Sequence, residues 1–155
     1  MTEKLCQVWS QTTPLQAGVL RIGQMVGDSQ NGIWNETEAI SLIFRSANAI
    51  NALPDLNDNP AWLPVDYAAK AIVEVISLPS SASPTETPVW HVLQPHKVRW
   101  SDVLQSFKKA GLKFEVVDPK VWVQMLRESD DDAVKNPTKK LLEFFEGQSM
   151  FLPAL

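Results

Sequence analysis

The sequence predicts an α/β fold with a mainly helical second part, on three observations. Apolar runs of strand length at residues 18–22 and 88–93 are separated by longer segments with apolar residues at helical spacing. Proline and glycine punctuate the chain between these segments. The last third reads as helix, strand, then two helices.

Residues 2–12 place Leu5, Val8, Trp9 and Thr12 on one helical face, and Pro14 stops the helix. Residues 18–22 read as a short buried strand, followed by a loop punctuated by Gly23, Gly27 and Gly32. Asn35 and Glu38 have the spacing of a capping box. They open a helix whose core stripe is Ile40, Ile43, Phe44, Ala47 and Ile50. Pro54 to Pro60, rich in Asn and Asp, reads as loop. Trp62 to Val65 is extended, because Pro64 lacks a donor and pushes Leu63 out of helical geometry.

Asp66 is placed to cap the next helix, with Ala69, Ile72, Val73 and Ile76 facing inward. Residues 79–88 read as an exposed loop, and 88–93 return to strand. Ser101 is placed to cap a helix carrying Val103, Leu104, Phe107 and Ala110, which Gly111 ends. A strand over 113–117 follows. Asp118-Pro119 and Asn136-Pro137 each set a capping residue before proline at a helix start. Asp130 to Asp132 form a solvated turn, and the apolar tail at 151–153 calls for another surface to cover it.

Composition sets the outer limits. A chain of 155 residues, 45% apolar and 21% charged, suits one domain or a substantial subdomain. A formal net charge of −4 argues against nucleic acid as the main partner, since phosphate binding needs a concentrated basic face. One cysteine, Cys6, excludes an internal disulfide and suits a reducing setting. No apolar run has membrane-spanning length, and no signal pattern opens the chain. The expectation is a cytoplasmic protein with neither a nucleic-acid nor a membrane partner.

Chemistry-bearing residues are sparse. Tyr67 and Lys70 stand three apart in the first turn of a helix, which suits a surface pair better than an acid assisted by a lysine one turn on. His91 alternates with Trp90 and Val92 in a strand, and neither it nor His96 has neighbours at metal-ligand spacing, so no metal site is expected. Arg21 inside an apolar strand calls for a carboxylate partner or a substrate contact. No Walker loop, no Gly-x-Gly-x-x-Gly and no Gly-x-Ser-x-Gly occurs. Of six tryptophans, Trp9, Trp90 and Trp122 fall on apolar faces and read as core. Trp34 and Trp62 sit in loops beside Gly or Pro, where a pocket wall and a core position fit equally.

Several strings together carry a family resemblance. They are Val-Leu-Arg-Ile-Gly-Gln-Met-Val-Gly at 19–27, Gly-Ile-Trp-Asn-Glu-Thr-Glu-Ala-Ile at 32–40 and Trp-Leu-Pro-Val-Asp at 62–66. Val-Trp-His-Val at 89–92, with Pro95 and Trp100, continues them. From Thr2 to about residue 130 the chain resembles the terminal thioester reductase domains of fungal nonribosomal-peptide-synthetase-like enzymes, including aminoadipate and aryl-acid reductases. Such domains are extended short-chain dehydrogenases. The resemblance implies a partial Rossmann-like fold, with carboxy-terminal strands and a mainly helical substrate-binding subdomain. Residues 1–34 and 61–93 would go with the sheet, and 35–60 and 97–150 with the helical lid.

The family reduces a carrier-bound acyl thioester with hydride from NADPH and releases an aldehyde or an alcohol. Its catalytic Tyr-x-x-x-Lys, oxyanion-binding Ser or Thr and dinucleotide loop would all lie before Thr2. The resemblance therefore assigns no catalytic residue to this chain, and implies no tight NADPH binding and no turnover by the isolated chain. It places Gln24, Met25 and Gly27 beside the cofactor, and Val26, Trp34, Asn35 and Trp62 around the substrate. Implied partners are an acyl or peptidyl carrier protein with its phosphopantetheine arm, and the amino-terminal half of the reductase domain. A competing reading is a stand-alone module that docks a carrier protein without chemistry. A third is an excised subdomain with no separate role.

Overall fold

The computed structural model describes residues 2–14, 17–78, 87–132 and 134–147. The loop expected over 79–88 falls mostly outside these residues, and the apolar tail at 151–153 falls wholly outside. The described chain is a mixed α/β structure that divides into two compact units, Met1–Ile33 with Ala61–Lys97, and Trp34–Pro60 with Val98–Leu155.

The first unit contains helix α1 (Thr2–Thr12), strands β1 (Val19–Ile22) and β2 (Met25–Val26), and, after the second unit's first segment, strand β4 (Leu63–Pro64), helix α3 (Val65–Ser77) and strand β5 (Val89–Val92). β1 pairs in parallel with β5, Val19 opposite Val89 and Ile22 opposite Val92. β2 pairs in parallel with β4, Met25 opposite Leu63 and Val26 opposite Pro64. Parallel strands need a crossover: the β2–β4 connection runs through the second unit's first segment, and α3 lies in the longer β1–β5 connection, packing on β2, β4 and β5. Leu63, Ala68 and Val92 form a small core, with Leu20 and Ala71 against it. Gly18 admits the Trp90 ring: a Cβ there would come 2.5 Å from an indole carbon.

Two expected apolar faces of this unit are not covered by it. Leu5, Val8 and Trp9 on α1 are exposed, Trp9 by 60%. On α3 the buried residue is Ala68, with Ala71, Ile72 and Val75 half-buried, whereas Ala69, Val73 and Ile76 are exposed, Ile76 by 73%. The expected stripe is thus turned by one position. Two sets of apolar residues share this helix, and the sheet takes the set containing the small Ala68, which lets the helix approach closely. Trp90 is half-buried against Gly18. β1 is also less buried than expected, since Arg21 and Ile22 are exposed.

The second unit contains helix α2 (Ala39–Ile50), strand β3 (Ala52–Pro54), helix α4 (Trp100–Lys109), strand β6 (Glu115–Val117), helix α5 (Pro119–Glu128), a 3-10 turn (Pro137–Leu141) and helix α6 (Leu142–Gly147). β3 pairs in parallel with β6, Leu53 opposite Val116. Ile43, Ala47, Leu53, Trp122, Leu126 and Phe145 are buried here. The Trp122 indole N–H donates to Ser46 Oγ at 2.9 Å, and the Ser46 hydroxyl lies within bonding distance of the Ile43 and Ala52 carbonyls. That chain of bonds satisfies polar groups whose burial would otherwise be costly.

Helix starts depart from the expected caps. Glu38, not Asn35, is the N-cap of α2, with no side-chain cap bond. Asn35 Oδ1 instead accepts from the Thr37 amide and hydroxyl, forming a turn just before the helix. Ser101 lies inside α4, whose N-cap is Arg99. Asp66 lies in the first turn of α3 behind Pro64, and its carboxylate is bound elsewhere. Asp118 does cap α5, accepting from the Lys120 amide with Pro119 at the first helical position. Asn136-Pro137 opens the 3-10 turn, without a side-chain cap.

Candidate functional site: the carboxyl end of the β2–β4 pair

Residues 24–27 form one edge of the first unit. Gln24 O accepts from the Leu63 amide at 3.0 Å, which starts the β2–β4 pair. The Gln24 carboxamide folds back and donates to Met25 O at 3.1 Å. Gln24 and Met25 are exposed, Val26 is half-buried, and Gly27 makes the bend that ends the strand. Trp62 is half-buried immediately before β4. Five of the seven expected site residues (Gln24, Met25, Val26, Gly27 and Trp62) therefore belong to this short parallel pair and its flanks.

Trp34 and Asn35 belong to the second unit. The Trp34 indole donates to Glu38 Oε2 at 2.9 Å and meets Phe44 edge-on at 6.0 Å. Phe44 in turn stacks on Trp100 and meets Phe107 edge-on. Trp34 is thus the outer member of an aromatic cluster, while the Asn35 carboxamide oxygen is engaged in its turn.

Beyond Gly27 the chain is fixed by two carboxylates that the sequence pattern did not single out for this purpose. Asp28 accepts from the backbone amides of Gln30, Asn31 and Ile33 at 3.1, 2.7 and 2.9 Å. Those donors, Asn31 and Ile33 foremost, hold its carboxyl below the usual aspartate range. Asp66 accepts from the Ser29 amide at 2.9 Å and the Ser29 hydroxyl at 2.8 Å, and those two bonds depress it in the same way. Asp-x-x-Asn-Gly, a common turn pattern, was the available signal for Asp28. No local pattern gives Asp66, because its partner is 37 residues away.

The other candidates resolve into surface contacts. Arg21 forms a two-toothed pair with Glu3, Nε to Oε1 at 2.8 Å and Nη2 to Oε2 at 2.7 Å, and its Nη1 lies 3.3 Å from His91 Nε2. Arg21 and His91 are register partners in the β1–β5 ladder, so the strand arginine has found its carboxylate. Lys70 Nζ sits 5.1 Å over the Tyr67 ring, a cation–π contact on the surface. Among the described residues no three His, Cys, Asp or Glu side chains group as metal ligands. No helix among them is long and apolar enough to cross a membrane. A polar cleft of about 370 Å³ lies in the second unit, between residues 55–59 and the start of α4.

Gln24 and Met25 thus present an exposed carboxamide and thioether at the strand end, and with Gly27 they carry no charge.

Parallel strand pairs with a helix packed beside them make this a Rossmann-like α/β fold. The likeness to solved structures agrees. A terminal R domain from the myxalamid PKS-NRPS pathway superposes with a TM-score of 0.74 at 24% identity, over 94% of this chain and 35% of that one. A thiolation-reductase di-domain from an archaeal nonribosomal peptide synthetase superposes at 0.64 and 17%, over 89% of this chain and 29% of that one. Residues 1–72 match the NAD-binding family described as male sterility protein. The 3-methylorcinaldehyde synthase of Sarocladium schorii is 32% identical over 137 residues, 84% of this chain but 5% of its own length. The chain is thus similar to the reductase domains of nonribosomal-peptide and polyketide synthetases, and spans a small fraction of the curated relatives it matches.

Proposed function

We propose that this chain is the substrate-binding portion of an NADPH-dependent thioester reductase, which releases a carrier-bound acyl group as an aldehyde or alcohol. One observation carries the reading. The first unit presents a strand-end edge of the right chemistry at residues 24–27, while the apolar faces of α1 and α3 beside its sheet stay uncovered. Parallel sheets are ordinarily buried on both faces, so this unit has the exposure of a sheet awaiting further layers. The amino-terminal half of a reductase domain would supply them, together with the nucleotide loop and the proton donor.

Bound NADPH would supply the hydride that converts the acyl thioester into an aldehyde and the free thiol of the carrier arm. Gln24, Met25 and Gly27 would line the nicotinamide end of its site. Val26 and Trp62 of the first unit would orient the acyl chain. The names of two relatives, an aldehyde synthase and a thiolation-reductase di-domain, support an aldehyde product and a carrier protein as partner.

The test mixes the purified chain with NADPH and an acyl thioester on a phosphopantetheinylated carrier protein. No NADPH oxidation is expected from this chain alone, and oxidation is expected once the amino-terminal half of a related reductase is added. Turnover by the chain alone would overturn the reading. Tight carrier binding with no turnover under either condition would leave a docking module instead.

A further inference from the structure

The geometry assigns Asp66 as a positioning residue for the edge formed by residues 24–27, acting through Ser29; this inference rests on the cofactor reading above. β2 ends at Val26 and β4 at Pro64, and the two strands run parallel, so both carboxyl ends open on the same side. In open α/β sheets ligands bind outside the carboxyl ends of strands, where the chain leaves the sheet without ladder bonds to hold it. Ser29 lies three residues beyond the end of β2, and Asp66 two beyond the end of β4. Their two bonds, amide to Oδ1 and hydroxyl to Oδ2, use both oxygens of one carboxylate. The pair is thereby tied a second time, just outside the ladder.

The tie is directional. Asp66 is in the first turn of α3, whose base is packed against β2 and β4, so the carboxylate is the anchored partner. Ser29 is exposed in a loop, so it is the partner being held. Asp28 then organises the rest of the loop with three backbone bonds of its own. Gly27 lies between β2 and this fixed loop. Without the Asp66 tie, Gly27 and Met25 would be held from one side alone, by the two-residue ladder. A ligand-contacting edge needs holding to a fraction of an ångström, and this contact supplies it.

Amide hydrogen exchange on the intact chain tests the assignment, with Ser29→Ala and Asp66→Ala compared with the unaltered protein. Ser29→Ala removes the hydroxyl bond and leaves the start of α3 intact. Asp66→Ala removes both bonds. Loss of bonds to a carboxylate is expected to speed exchange at Ser29 by about tenfold in Asp66→Ala and less in Ser29→Ala. Exchange at Leu20 and Val92 should stay unchanged in both. Faster exchange confined to the first turn of α3, or no change over residues 24–29 in Ser29→Ala, would reduce Asp66 to a helix-start residue and overturn the assignment. Should Asp66→Ala fail to fold, Ser29→Ala alone decides.

A second readout separates positioning from the cofactor reading. Reduced nicotinamide mononucleotide is titrated while the backbone amide resonances of residues 24–27 are followed. These resonances should move in the unaltered chain and need about threefold more ligand in Ser29→Ala, the cost expected for one modest hydrogen bond. No movement in the unaltered chain would remove the cofactor reading, while the exchange experiment would still decide whether Asp66 fixes the loop.

Discussion

Asp28 and Asp66 show how much local order single carboxylates impose. Both are solvent-accessible, yet Asp28 gathers three backbone amides and Asp66 gathers an amide and a hydroxyl. Hydrogen bonds to the ionised form lower both pKa values. A carboxyl depressed on folding stabilises the fold above its unfolded pKa, about 3.9 for aspartate, and that contribution fades as pH falls through the lower folded value. The loop over residues 28–33 should therefore stay closed at neutral and mildly acid pH and loosen below about pH 3.9. Amide resonances of Asn31 and Ile33 should titrate with Asp28 and that of Ser29 with Asp66, each with a midpoint under that of a free aspartate. A midpoint at or above the ordinary value would show the bonds to be absent in solution.

At the scale of elements, legibility followed locality. α5 was readable because Asp118-Pro119 combines a cap and a fixed φ in two adjacent residues, and the structure uses both. β2 and β3 were not, because two- and three-residue strands have no period, and their pairing comes from partners 38 and 63 residues away. Pro54, read as loop, is the last residue of β3, where Asp55 continues the bonding by donating to Val117 O. Gln24, Met25, Gly27 and Trp62 came from the family strings. The tie that would position them did not, since nothing in the spacing of Ser29 and Asp66 announces it.

The face of α1 was read correctly as apolar and incorrectly as covered. Helical spacing reports which residues share a side, not what lies against it. Leu5→Glu with Trp9→Glu should leave the isolated chain's stability within about 0.5 kcal/mol, as for other exposed substitutions. The same double change should abolish rescue of turnover by an added amino-terminal half. Thermal unfolding and the NADPH oxidation assay measure the two effects. A large loss of stability in the isolated chain would mean that this face is already covered.

At the scale of the molecule the two units are unequally furnished. The second buries Ile43, Leu53, Trp100, Leu104, Trp122, Leu126 and Phe145, and closes its interior with the Trp122–Ser46 and Trp100–Pro54 bonds. The first has a core of Leu63, Ala68 and Val92 with two partly buried neighbours, and leaves the Leu5–Val8–Trp9 face of α1 and much of α3 to solvent. Burial is the main favourable term in folding, and local opening follows where it is thin. Amides of Leu53, Val123 and Leu126 should therefore outlast those of Leu20, Leu63 and Val92 in hydrogen exchange on the chain alone. Adding the amino-terminal half of a related reductase should slow exchange in the first unit and leave the second nearly unchanged, because the uncovered apolar faces belong to the first. Equal protection of both units in the isolated chain would show the small core to be sufficient, and the case for a missing layer over α1 and α3 would fall with it.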